Sequence, residues 1–298
     1  MSNAPVNVAV VGLGNMGAAI LHQVAKSGAV TGFDISGDRR RNASSIGGAR
    51  LVDDLADLRN SDVVILSLPS PQISTAVVSQ LMNILPDTAT VIETSTVLPD
   101  DVLSMRRLVE ERGGRLVDAA VFSGVAGMQA GKAKLLVGGV PDESNDPMRP
   151  VLERISTDLL FFADPGAGMA AKVINNAVAH AVMVILSEAA ALADAYGIGS
   201  EPLTELLVDP EGGLIRPLNH RYRERIRNGD YEGGMPTSAA LKDSRLALAL
   251  AQARSVPLFA IQGSHTVYEL ANAAGLGSKD YASIATLWEA WLNTSFTD

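Results

Sequence analysis

The stretch VAVVGLGNMG, residues 8–17, sets Gly12, Gly14 and Gly17 in G-x-G-x-x-G spacing behind a run of β-branched residues. Three glycines at that spacing are a weak signal alone. They gain weight from lying after a strand pattern and before the helical segment MGAAILHQVAKSG (16–28). In such a unit the first glycine permits a tight turn, the second lets backbone approach a pyrophosphate, and the third lets helix pack on strand. The free N–H groups at the helix start then face the anion. Gly12, Leu13, Gly14, Asn15, Met16 and Gly17 are therefore the expected dinucleotide loop, with an ordinary strand-to-helix turn as the alternative. The unit closes at Asp34, twenty residues past Gly14. A carboxylate there can accept the hydroxyls of an adenosine ribose and repel a 2′-phosphate, which favours NAD over NADP. The alternative is an Asp that caps the next helix. Arg39, Arg40 and Arg41 follow; they form a solvated helix face or accommodate a phosphate, so NADP stays open.

Outward from this loop, AVTGFD (29–34), DVVILSLP (62–69), ATVIETS (89–95) and GRLVDAAV (114–121) read as buried strands separated by helix-length segments. That alternation predicts a parallel sheet covered on both faces. KAKLLVGG (132–139) and DLLFFAD (158–164) bracket the polar segment PDESNDPMRP and are expected to extend the sheet. From Met169 to Tyr196 there is neither proline nor glycine, and Gly197 supplies a stop, so one long helix is expected, apolar almost all round. Lys172, Asn175, Asn176, His180, Glu188 and Asp194 interrupt any run of the roughly 18 apolar residues that a membrane span needs. A protein interior or a subunit interface is expected instead, and with it a homodimer or homotetramer. The remainder has helical spacing without strand patterns. The expected architecture is an α/β Rossmann-like N-terminal domain with a parallel sheet over 1–164, a long interdomain helix, and an all-α C-terminal domain for substrate and dimerisation over 165–298.

Two domains suit 298 residues, and 47% hydrophobic with 19% charged residues describes a globular chain. A net charge of −9 argues against nucleic acid or an anionic membrane and towards a small-molecule partner. The absence of cysteine removes disulfides, thiolate metal sites and a Cys nucleophile, and fits a cytoplasmic protein. Met1 to Pro5 carries no basic n-region, so no export signal is expected.

GAGMAAKVINN (166–176) sets an ammonium among Ala170, Ala171, Val173 and Ile174. On a helix Lys172, Asn175 and Asn176 share one face at i, i+3 and i+4. Burying an ammonium is costly, so either its tip snorkels to water or the site retains it for chemistry. A half-buried lysine gives up its proton more readily, which suits general acid/base work. Both readings stand on the residues alone.

Four motifs, in order along essentially the whole chain, resemble the β-hydroxyacid dehydrogenase family. Its members include 3-hydroxyisobutyrate and 6-phosphogluconate dehydrogenases and tartronate semialdehyde reductases. The family's G-x-G-x-M-G is matched by Gly12 to Gly17, and its G-x-G-x-x-x-K-x-x-N-N by Gly166 to Asn176 without a mismatch. Its S-T segment is matched by Ser95-Thr96 and its late K-D pair by Lys242-Asp243. The resemblance implies hydride transfer between a nicotinamide cofactor and a small anionic 3-hydroxy acid or the matching carbonyl acid. It implies Lys172 as the proton-transferring lysine, Asn176 as a substrate-holding residue, and Thr96 with Leu68, Pro69 and Ser70 as cofactor contacts. Lys242 would contact both cofactor and substrate. The family's D-x-P-V-S-G-G reads here DAAVFSG (118–124): Ala120 replaces the proline, Phe122 the serine and Ser123 the first glycine. Ser123 and Gly124 are still expected to line the substrate anion site. On an extended strand, however, the hydroxyl would point to the opposite face unless the chain has already turned.

Arg216, Arg221, Arg223, Arg225 and Arg227 crowd one segment; if it is helical, Arg216, His220, Arg223 and Arg227 share a face, either solvated or attractive to an anion. His180 is expected in a supporting or core role, and no histidine has a partner at metal-ligand spacing, so no metal is expected. Two alternatives remain: an imine reductase on the same scaffold, against which Lys172 counts, and a dinucleotide-binding sensor without catalysis.

Overall fold

In the computed structural model, which describes residues 6–140 and 146–297, Val8–Val11 (β1) lies inside a sheet whose inner strands are buried on both faces. The other strands are β2 (Val30–Phe33), β3 (Ala49–Val52), β4 (Val63–Leu66), β5 (Thr90–Glu93), β6 (Arg115–Phe122), β7 (Lys134–Gly138) and β8 (Asp158–Phe162), in the order β3-β2-β1-β4-β5-β6-β7-β8. Period-two alternation sorts the side chains. Val8, Val10 and Ile65 join one core with Ile20, Leu21 and Val24, while Ala9, Val11, Val64 and Leu66 join the other with Val78, Leu81 and Met105. A fully buried aliphatic side chain of this kind contributes about 1.5–3 kcal/mol.

The crossovers are α1 (Asn15–Lys26), α2 (Gly37–Ala43), α3 (Pro71–Leu81) and α4 (Pro99–Glu110), with the shorter α5 (Val125–Gln129) and α6 (Arg149–Ile155) further on. The expected strands are present, with two differences. GARLV (48–52) supplies β3, which sequence reading passed over: it is a four-residue edge strand only partly buried, so its apolar signal is weak. And β7 runs antiparallel to β6, because the link between them holds only the five-residue α5, too short to carry the chain back along the sheet. The expectation for Met1 to Pro5 lies outside the described residues, as does half of PDESNDPMRP (residues 141–145).

The chain divides into two compact units, residues 1–177 and 178–298. The division falls inside α7 (Ala167–Ala195), thirteen residues past the 164/165 boundary expected from sequence. By length and composition alone α7 could cross a membrane. In the fold, both of its ends are held by protein. Asp118 of β6 accepts the N–H groups of Gly166 (2.8 Å) and Met169 (3.0 Å). In the second unit, made further of α8 (Ser200–Val208), α9 (Thr237–Ala253), α10 (Ala260–Ala271) and α11 (Ala285–Leu292), Glu188 caps α10 by accepting N–H groups from Phe259, Ala260 and Ile261.

The arginine-rich segment is not the regular helix whose spacing would align Arg216, His220, Arg223 and Arg227. Pro217–Arg223 winds as a π-helix and Ile226–Asn228 as a single 3₁₀ turn, so the α-helical phase is lost. Arg221 and Arg225 instead pair with the fully buried carboxylate of Asp280. His180 is exposed rather than part of a core.

Candidate active site

The glycine loop crosses the sheet edge between β1 and β4, where strand order reverses, which is the place an open α/β sheet offers a ligand. Gly12 has φ +91°, and a Cβ on it would lie 2.2 Å from the Ser67 carbonyl oxygen. A Cβ on Gly17 would lie 1.8 Å from the carbonyl oxygen of Gly12. These two glycines serve the protein's own packing. Gly14 differs: beyond its chain neighbours, none of the described residues lies within 4 Å of where its Cβ would be. It borders a cavity of about 400 Å³ with Leu13, Asn15 and Arg39, at the N-terminus of α1. Backbone bare of side chain, facing an open cavity at a helix start, fits a pyrophosphate.

A second cavity, about 490 Å³, is lined by Gly12, Phe33, Asp34, Leu68, Pro69 and further, mainly apolar, side chains of β2 and α3. It suits a flat heteroaromatic base. Asp34 lines it but is only 3% exposed: its carboxylate accepts the N–H groups of Leu13 (2.7 Å) and Ser36 (2.8 Å) and faces Arg39 at 3.5 Å. Asp34 thus ties the glycine loop to the end of β2. It does not cap α2; Ser36 does.

Leu68 and Pro69 line the cavity, whereas Ser70 uses its hydroxyl to cap α3 through the N–H of Ile73 (3.3 Å). The loop after β4 is stitched to the one after β5, where Ser95 Oγ accepts the Leu68 N–H at 2.8 Å. Thr96, next in the chain, is exposed. Beneath them lies Glu93, which sequence reading missed. It is fully buried, its Oε1 accepts the Ser95 N–H at 2.7 Å, and among the described residues no hydrogen bond reaches its Oε2. Burial pushes its pKa up to about 7, against the Ser95 bonds that lower it. A glutamate inside ATVIETS was the available signal, since a carboxylate in a doubly covered strand is rare unless it has work to do.

Asp118 was also passed over. Besides holding the start of α7, it explains the glycines ahead of Lys172. A Cβ on Gly168 would lie 2.3 Å from the Leu136 carbonyl oxygen and 2.9 Å from Asp118 Oδ2, so only glycine lets the helix seat against the sheet. From that seat Lys172 reaches the end of β6, and its Nζ stands 5.7 Å from the centroid of the Phe122 ring. Partial burial lowers its pKa below the ordinary lysine value. Asn176, one turn on, is half-buried and Asn175 exposed. β6 ends at Phe122, so the chain has turned by Ser123 and the face-inversion expected of an extended strand does not apply. The Ser123 hydroxyl donates to the Gly124 carbonyl at 3.0 Å. In the second unit Lys242, on α9, is 67% exposed and pairs with Asp243.

Fold and glycine loop together define a dinucleotide-binding protein of the Rossmann type. Residues 7–164 match the family model for the NAD binding domain of 6-phosphogluconate dehydrogenase, and residues 166–288 that for NAD-binding of NADP-dependent 3-hydroxyisobutyrate dehydrogenase. Among curated relatives, the mitochondrial 3-hydroxyisobutyrate dehydrogenase of Drosophila melanogaster is 30% identical over 94% of this chain and 89% of its own. Among solved structures, the 3-hydroxyisobutyrate dehydrogenase of Mycobacterium tuberculosis, determined with L-serine, is 27% identical with TM-score 0.65, covering 95% of this chain and 99% of that one. The imine reductase of Streptomyces aurantiacus reaches TM-score 0.82 at 22% identity over 95% and 99%, a likeness of fold. The chain belongs to the β-hydroxyacid dehydrogenase family. It is an NAD(P)-dependent oxidoreductase acting on a CH–OH group.

Proposed function

We propose that the enzyme oxidises a small 3-hydroxy acid, or reduces the matching carbonyl acid, with Lys172 as general acid/base and NAD preferred over NADP. The observation that carries this reading is the half-buried Lys172, seated by Asp118 and Gly168, whose proton burial loosens. When bound, the nicotinamide cofactor accepts or returns the hydride. Lys172 Nζ, neutral in the oxidative direction, takes the proton of the substrate hydroxyl, and in reduction gives it back. Asn176, one turn further along α7, holds the substrate beside it. Ser123 and Gly124 receive the carboxylate end. Thr96 contacts the nicotinamide end of the cofactor, and Lys242 contributes from the second unit; both assignments rest on the family resemblance. The NAD preference rests on Asp34, an anionic group at the end of β2 that lines the base cavity. We further propose that the enzyme is a homodimer or homotetramer, because α7 leaves Ile174, Val178, Met183 and Val184 uncovered.

Lys172→Ala tests the central claim. NADH binding followed by fluorescence should stay near normal while turnover of any accepted hydroxy acid falls by about 10²–10⁴. Undiminished turnover removes Lys172 from the mechanism. Initial rates with NAD and NADP in parallel test the role given to Asp34.

A further inference from the structure

The group facing the Lys172 ammonium from β6 is an aromatic ring. Phe122, the last residue of that strand, is 41% exposed, so it closes no core and its ring is available to whatever occupies the space beside Lys172. Within the first unit no carboxylate among the described residues pairs with Lys172. The nearest hydroxyl along the chain, that of Ser123, is bonded to the Gly124 carbonyl and packs where a Cβ on Gly127 would meet it at 2.1 Å. The Phe122 ring therefore gives this side of the site an apolar surface with one cation held over it, next to the Ser123 and Gly124 positions assigned to the carboxylate end.

We propose that Phe122 is the specificity-determining residue of the Lys172 site: its ring positions the ammonium and offers an apolar wall that selects a substrate with an alkyl group, rather than a hydroxyl, on the carbon beside the reacting one. This rests on the hydroxy-acid reading above. An alkyl group laid on the ring leaves water at no polar cost. A hydroxyl laid on the ring face gives up hydrogen bonds to water there and gains none from the ring. The electron-rich ring face attracts the charged lysine, and so also fixes the direction from which Nζ approaches a substrate oxygen.

Two acids that differ only in that group make the test: 3-hydroxy-2-methylpropanoate and 2,3-dihydroxypropanoate. Wild-type enzyme should favour the methyl compound in kcat/KM by about 10–100-fold, the range open to an apolar surface that offers the hydroxyl no hydrogen bond. Phe122→Ser should cut that ratio at least tenfold, chiefly through KM. Phe122→Leu keeps bulk and apolarity and should keep the ratio. It removes the ring face, however, so the Lys172 titration followed by NMR of ¹³Cε-lysine, assigned with Lys172→Arg, should move to lower pH. Phe122 is partly exposed, and melting temperatures near wild type will show that both variants fold. An unchanged ratio in Phe122→Ser overturns the specificity role, and an unmoved titration in Phe122→Leu overturns the contact. If wild type turns over neither acid nor any other hydroxy acid, the parent reading fails and the preference with it. The titration still decides the Phe122–Lys172 contact without turnover.

Discussion

The carboxylate of Asp118 accepts the backbone N–H of Met169 at 3.0 Å, across 51 residues of chain, and so holds the first turn of the helix that carries Lys172. A second bond, from the Gly166 N–H, makes the contact two-pronged. Asp118→Ala leaves both donors unpaired in a buried setting, at a cost of about 3 kcal/mol. Chemical denaturation should show that loss, and kcat should fall further than KM rises as Lys172 loses its seat. Asp118→Asn, which keeps one acceptor, should fall between.

Glu93 makes stability depend on pH. Its native pKa of about 7 stands above the 4.5 of an unperturbed glutamate, so between those values the native state binds the extra proton. Stability is then greatest below pH 4.5 as far as this group is concerned, declines from 4.5 to 7, and is flat above. Glu93→Gln should remove that decline and raise stability at pH 8 by roughly 3 kcal/mol. Melting curves of both proteins from pH 5 to 8 measure it; parallel curves would exclude the effect.

Gly12 and Gly14 should respond differently to alanine. At Gly12 a methyl group meets the Ser67 carbonyl and the backbone has φ +91°, so Gly12→Ala should destabilise the free protein by about 3 kcal/mol or more. At Gly14 none of the described residues beyond its chain neighbours is in reach. Gly14→Ala should melt like wild type yet bind NADH more weakly, which a thermal shift with and without the dinucleotide will show.

The lowered pKa of Lys172 sets the pH limbs of catalysis. Oxidation needs the neutral amine, so kcat/KM for the hydroxy acid should rise with pH through that pKa and level off below the usual lysine range. Reduction needs the ammonium and should fall over the same interval. Lys172→Arg should abolish both limbs, because guanidinium keeps its proton throughout.

Much of the fold was legible because its signals are local. Seven of the strands showed as short apolar runs, and the long helix as a stretch free of glycine and proline. The eighth, β3, failed to show because an edge strand buries little and carries Arg50. The shared basic face of the arginine segment was conditional on an α-helix, whose phase a π-helix and a 3₁₀ turn do not keep, and Asp280, some sixty residues on, draws Arg221 and Arg225 inward. At the site, the glycine loop and Lys172 stood out in the sequence. Glu93 and Asp118 did not, although each is a charge inside an apolar strand, because an isolated carboxylate says nothing of what it will bind.

By itself the sequence determined the glycine loop, the parallel strands beside it and the helix that bears Lys172. Strand alternation, helix length and the steric freedom of Gly12 are properties of near neighbours in the chain. Tertiary structure alone decided the direction of β7, the seat of α7 on Asp118 and the placing of the Phe122 ring beside Lys172. Those contacts join segments about fifty residues apart or depend on the length of a crossover, and the chemistry at each end is completed only when the sheet brings them together.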